Sequence, residues 1–130
     1  NHLYAVGKNL GIAFQLQDDY LDAFGDPAKF GKQPGGDIMA NKKTFLTIQV
    51  LEKASEVQKK ELLRLMKDNP PDKVPAVMQI FTECKVDTWA RNLKDKYLNM
   101  ALQHLEDTAV ISSRKKPLQE LALFLVQREY

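Results

Sequence analysis

Leu3, Val6, Leu10, Phe14, Leu21 and Phe24 recur at helical spacing, and almost every later segment repeats that period. No stretch shows the sustained alternation of β-branched residues that a strand requires. This pattern confines the chain to an all-α fold. A first helix is expected over residues 2 to 24, ended by Gly25-Asp26-Pro27. The stretch from Gly25 to Asn41 then holds four of the six glycines and two prolines, without helical period. A loop that long is uncommon in a compact domain unless it has a task.

Beyond the loop, Asn41 is expected to cap a second helix carrying Phe45, Leu46, Ile48 and Leu51. Ser55 is expected to cap a third, with Val57, Leu62, Leu65 and Met66 as its buried stripe. Asn69-Pro70-Pro71 separates that helix from a fourth, which starts at Asp72, tolerates Pro75 in its first turn and runs to Cys84. A fifth presents Trp89, Leu93, Tyr97, Met100, Ala101 and Leu105 on one face, and Pro117 opens a last helix with Leu118, Leu121, Ala122 and Leu125. The expectation is about six helices in one domain over residues 1–130.

Composition sets the remaining bounds. With 44% hydrophobic and 28% charged residues in 130, the chain can bury the core of one ordinary domain. Nineteen Lys and Arg against seventeen Asp and Glu leave a formal charge of +2, with no basic run interleaved with aromatics, so nucleic acid is not expected as a partner. No apolar run reaches the roughly 18 to 20 residues that span a bilayer, and no signal peptide is recognisable. Cys84 is the single cysteine, and neither His2 nor His104 has a companion at metal spacing, which fits a cytoplasmic protein. The chain opens at Asn1 and enters a helical pattern without a cap, as expected of a truncated chain.

Chemistry concentrates at the end of the first helix. Asp18 and Asp22 are one helical turn apart, about 5 to 6 Å between Cβ atoms, with Asp19 beside them. Carboxylates so placed repel one another and meet the negative end of the helix dipole. A local rule broken in this way often marks function, and a hard cation such as Mg²⁺, which takes oxygen ligands together with substrate phosphates, would relieve the repulsion. The loop that follows carries Gly31-Lys32, Gly35-Gly36-Asp37 and Asn41-Lys42. Glycines admit close backbone approach and lysines supply point charges for phosphate, so triad and loop together suit a metal-diphosphate site.

The run Gly11-Ile12-Ala13-Phe14-Gln15-Leu16-Gln17-Asp18-Asp19-Tyr20-Leu21-Asp22, then Phe24-Gly25-Asp26-Pro27, Gly31-Lys32, Gly36-Asp37-Ile38 and Asn41-Lys42, resembles the second aspartate-rich motif of trans-isoprenyl diphosphate synthases. These are the polyprenyl synthetases of the farnesyl and geranylgeranyl diphosphate synthase family. The resemblance implies the C-terminal part of the isoprenoid synthase helical bundle. It implies an Mg²⁺-dependent prenyltransferase that condenses isopentenyl diphosphate with an allylic diphosphate. Asp18 would be the main metal ligand, with Asp19, Asp22 and Asp37 contributing ligands or hydrogen bonds through metal-bound water. Lys32 and Lys42 would grip the allylic diphosphate, while Phe14 and Gln15 would line the substrate cavity. Gln15 has its own claim, because a polar side chain one turn before the triad needs a partner if buried.

The family's first aspartate-rich motif and its isopentenyl diphosphate site would lie in an N-terminal half upstream of residue 1. This chain alone is then expected to be inactive and to self-associate through orphaned apolar faces, while the full-length protein would be a homodimer. The competing readings are a helical interaction module whose triad is a surface decoration, a noncatalytic diphosphate-binding homologue, and a terpene cyclase. The glycine- and lysine-bearing loop favours the synthase. Gly7 and Gly11 fit close helix packing or room for an isoprenoid chain. Arg128 resembles the basic tails that close over diphosphate in some family members.

Overall fold

The computed structural model describes residues 2–30, 34–107 and 112–127, and all its regular structure is helical. The helices are α1 (His2–Phe24), α2 (Pro27–Phe30), α3 (Gly36–Met39), α4 (Phe45–Lys53), α5 (Glu56–Asp68), α6 (Lys73–Glu83), α7 (Val86–Glu106) and α8 (Ser112–Gln127). The all-α expectation holds, and the count exceeds about six because the glycine-rich loop winds into the single turns α2 and α3.

Helices α1 and α7 form the most extensive interface of the molecule. Ala90 and Ala101 are each 1% exposed on α7, and side chains that small allow close approach of helices. The main core gathers Leu46 and Val50 of α4, Leu62 and Leu65 of α5, Val77, Ile80 and Phe81 of α6, and Val86 and Ala90 of α7. Ala23 and Ile38 join this core, which thereby reaches the end of α1 and the turn of α3. Phe81 lies with its ring centroid 6.5 Å from Phe24, which in turn lies 5.4 Å from Tyr20. A smaller cluster of Ala13, Leu98 and Val126 marks where α1, α7 and α8 meet.

Several expectations are corrected. Thr44, in extended conformation, caps α4 by accepting from the Thr47 N–H at 3.2 Å. Asn41 cannot serve, because its backbone is left-handed at φ 56 and its side-chain amide donates to the Met66 carbonyl instead. Helix α8 starts at Ser112, so Pro117 stands inside it and forgoes the bond its N–H would have made one turn back. Val57 is 78% exposed on α5 and so leaves its expected buried stripe, and Met100 on α7 is 38% exposed at the margin of its face. On α1, Leu3 is 54% exposed, while Ala13 and Leu16 take the centre of the buried face.

Other expectations hold. Ser55 and Gln58 form a reciprocal capping box at the start of α5, and Pro75 falls in the first turn of α6. No helix among the described residues is long and apolar enough to cross a membrane.

Candidate functional site

The C-terminal half of α1 turns polar groups inward. Asp19 is 3% and Asp22 8% exposed, and Gln17 is buried with them. Burial of carboxylates is tolerable only where donors meet them. Asp19 Oδ1 accepts from Gln15 Nε2 at 2.8 Å, the partner that Gln15 was expected to need. Its Oδ2 accepts from the Phe45 N–H at 2.9 Å, which sets a negative charge against the N-terminus of α4 where the helix dipole favours it.

Asp22 Oδ2 accepts from the Asp37 N–H at 2.8 Å, and its carbonyl accepts from the Gly35 N–H at 2.7 Å. The Asp22 carbonyl and carboxylate and the Asp19 carboxylate thus fasten both ends of the segment from residue 35 to residue 45 onto α1. Backbone donors supply part of the relief that the crowded acids need. Asp18 is only half-buried, at the edge of the cluster.

The loop can lie this close to α1 because of two glycines. Gly35 has φ 100, and a Cβ there would come within 2.7 Å of Val74 Cγ1. A Cβ on Gly36 would come within 3.3 Å of Asp22 Oδ1. Asp37 then sits beside the acids and Lys42 beside Asp37, their charged atoms 4.0 Å apart, while the Lys42 N–H donates to the Asp37 carbonyl at 2.9 Å. Burial raises the Asp37 carboxyl above its ordinary range, the charge of Asp22 raises it further, Lys42 opposes, and Asp19 and Asp18 add to the rise. Negative charge is therefore in excess at this point.

A cavity of about 240 Å³ opens over this cluster, lined by Gln15, Asp19, Lys42, Lys43, Thr44, Phe45 and Ile48. A second, wider groove of about 380 Å³ lies further along α1 and is lined by Gly7, Leu10, Gly11, Phe14 and Leu125. A Cβ on Gly7 or Gly11 would meet nothing within 4 Å. Phe14 and Gln15, adjacent in sequence, thus face an apolar groove and a polar cavity respectively.

The structure brings together Gln15, Asp18, Asp19, Asp22, Asp37 and Lys42, and sets Phe14 one groove away. Lys32 and Arg128 lie outside the described residues. Among the described residues, no three His, Cys, Asp or Glu side chains are already gathered at metal-binding distance. The donor set nonetheless suits a hard cation, since it offers carboxylate oxygens only and Gly36 keeps the space beside Asp22 Oδ1 free of a methyl group. Sequence reasoning missed Lys43, Thr44 and Ile48 as cavity residues. It also missed Lys73, which is 2% exposed and reaches the same loop from α6. Nothing in the sequence around Lys73 sets it apart from a solvent-facing lysine.

Known proteins resemble this chain in sequence and in fold. The sequence pattern of the family described as polyprenyl synthetase matches residues 1–84. A geranylgeranyl diphosphate synthase of Saccharolobus solfataricus is 34% identical over 129 residues, which cover 97% of this chain and 39% of the relative. The crystal structure of geranylgeranyl pyrophosphate synthetase from Pyrococcus horikoshii superimposes with a TM-score of 0.89 at 30% identity, over 98% of this chain and 39% of that one. A geranylgeranyl pyrophosphate synthase of Corynebacterium glutamicum, solved with isoprenyl diphosphate and magnesium, gives a TM-score of 0.82 at 28% identity, over 98% of this chain and 37% of its own. The chain spans about two fifths of the length of these relatives, and with its family pattern, its helical fold and its acid-and-lysine cluster it belongs to the polyprenyl synthetase family.

Proposed function

We propose that the full-length protein is a trans-prenyltransferase that condenses isopentenyl diphosphate with an allylic diphosphate, and that this chain supplies its allylic-diphosphate and hydrocarbon-binding side. One observation carries the reading: a cavity bearing Asp19 and Lys42 and an open apolar groove bearing Phe14 lie along the same helix. A ligand with an anionic head and a hydrocarbon tail fits that pairing. The Corynebacterium glutamicum relative, solved with isoprenyl diphosphate and magnesium, supports it.

In the reaction, the carbon–oxygen bond of the allylic diphosphate breaks and its electron pair leaves with the diphosphate. The double bond of isopentenyl diphosphate attacks the allylic cation, a carbon–carbon bond forms, and a proton passes to the released diphosphate to restore a double bond. Mg²⁺, when bound, supplies positive charge for the departing diphosphate, and Asp18 would be its principal ligand, with Asp37 beside it. Asp19 and Asp22, whose oxygens hold backbone and Gln15 donors, act by fixing the loop and through metal-bound water. Lys42, and by its place in the motif Lys32, take up charge on the diphosphate. Phe14 closes the groove against the hydrocarbon, and Gln15 keeps Asp19 oriented. The remaining machinery is supplied by sequence outside this chain, so the chain alone is inactive. The active protein is a cytoplasmic homodimer.

The test is incorporation of labelled isopentenyl diphosphate into acid-labile prenyl product by the full-length protein, its Asp18→Ala variant and this chain, each with and without Mg²⁺. Activity that needs Mg²⁺, collapses in Asp18→Ala and is absent from the chain alone is the expected result. A full-length protein inactive with every allylic primer would overturn the reading.

A further inference from the structure

We propose that Lys73 is a positioning residue for the diphosphate-binding loop: it clamps Asn41 and thereby sets the adjacent Lys42 where it receives the allylic diphosphate. The proposal rests on the reading of the site given above. Lys73 is the first residue of α6 and is 2% exposed. A buried ammonium is costly unless each of its three protons finds an acceptor. Here all three do, and all three acceptors are neutral. The ammonium donates to Asn69 Oδ1 at 2.7 Å, to the Met39 carbonyl at 3.4 Å, and to Asn41 Oδ1.

Only the Asn69 contact is local. The other two contacts of Lys73 lie 34 and 32 residues away, at the end of α3 and at the residue before Lys42. Asn41 is left-handed at φ 56, a conformation that asparagine accepts more readily than most residues. Its side chain is held from both sides, accepting from Lys73 and donating through Nδ2 to the Met66 carbonyl at 3.0 Å. The next residue, Lys42, then donates its N–H to Asp37 and directs its ammonium along the Asp37 carboxylate. Val74, beside Lys73, presses against Gly35 at the other end of the α3 turn. The first two residues of α6 therefore support both ends of the turn that carries Asp37 and leads into Lys42. The carboxylates of α1 hold the same segment from the opposite side.

The experiment uses the full-length protein and two variants, Lys73→Met, which keeps the apolar stem, and Asn41→Gly, which keeps the left-handed backbone but cuts the clamp. In both, KM for the allylic diphosphate is expected to rise about tenfold while kcat stays within about threefold. In a Lys42→Ala background the same substitutions should change KM by less than about twofold, because the pathway they act through is already gone. In the metal-free protein, hydrogen exchange at the Lys42 amide should accelerate about tenfold in both variants. A purely structural lysine would instead give effects that multiply with Lys42→Ala. That result, or an unchanged KM in folded Asn41→Gly, overturns the role of Lys73 while an active, Lys42-dependent wild type leaves the site reading standing. A wild-type protein that neither turns over nor binds Mg²⁺-pyrophosphate overturns both.

Discussion

The two halves of α1 invert the usual rule in opposite directions. Towards the N-terminus, Leu3 and Tyr4 are 54% and 73% exposed, and Leu10 and Phe14 line an open groove. Towards the C-terminus, two carboxylates and Gln17 are buried. Buried acids cost free energy unless donors surround them, and open apolar surface costs it unless something covers it. The first cost is met inside the chain by the backbone of residues 35 to 45. Among the described residues the second is met only in part, and the function proposed above assigns a hydrocarbon ligand or further helices to that half. One helix thus carries a polar scaffold tied to the following loop at one end and a partly exposed apolar face at the other. This chain at high concentration should self-associate through such faces, which light scattering would detect.

Substitutions within the acidic half should separate chemistry from scaffold. Asp18 is the half-buried member, so Asp18→Ala should leave the fold intact while lowering kcat/KM of the full-length protein by on the order of a thousandfold, the scale of losing a preorganised electrostatic contact to a leaving group. Thermal denaturation alongside the kinetics would check it; a large fall in stability with modest loss of turnover would mean that Asp18, too, is scaffold. Asp19→Ala should do the reverse in kind. It leaves the Phe45 N–H and the Gln15 amide without their acceptor and should cost about 2 to 3 kcal/mol of stability, the range for a buried hydrogen bond to a charged group. Urea denaturation with an unchanged m-value would confirm that scale.

Much of this was legible in the sequence, where the chemistry is local. Ser55 and Gln58 stand three residues apart, and the capping box they form needs nothing else. The bounds of α1, the triad and the glycines beside it could be read for the same reason. What escaped depends on partners far along the chain. Asn41 has the composition of a helix cap, but Lys73 and Met66 claim its side chain from 32 and 25 residues away. Asp19 and Asp22 look like free ligands in a one-dimensional pattern, whereas Phe45 and Asp37 supply them with donors from 26 and 15 residues on. The start of α8 escaped because Pro117 is a stronger local signal than the residues before it, yet the helix tolerates it internally.

The glycines sharpen the contrast between the halves at smaller scale. Gly35→Ala should destabilise by about 1 to 3 kcal/mol, because the left-handed backbone disfavours a side chain and Val74 occupies the space. Gly11 stands in the same helix as the acids but in open surroundings, so Gly11→Ala should stabilise the chain by about 0.5 to 1 kcal/mol, the ordinary helix-propensity difference. The two changes are chemically identical and differ in the backbone conformation that receives the methyl group and in what that methyl meets. Denaturation midpoints of the pair, measured on one preparation, therefore test the assignment directly. If Gly11→Ala destabilised instead, the apolar half of α1 would be closely packed in solution, by a second copy or by chain outside residues 1–130, and the groove would not be free for a hydrocarbon. If it stabilised as expected while the full-length protein's product shortened, the space beside Gly11 would be where the growing chain lies.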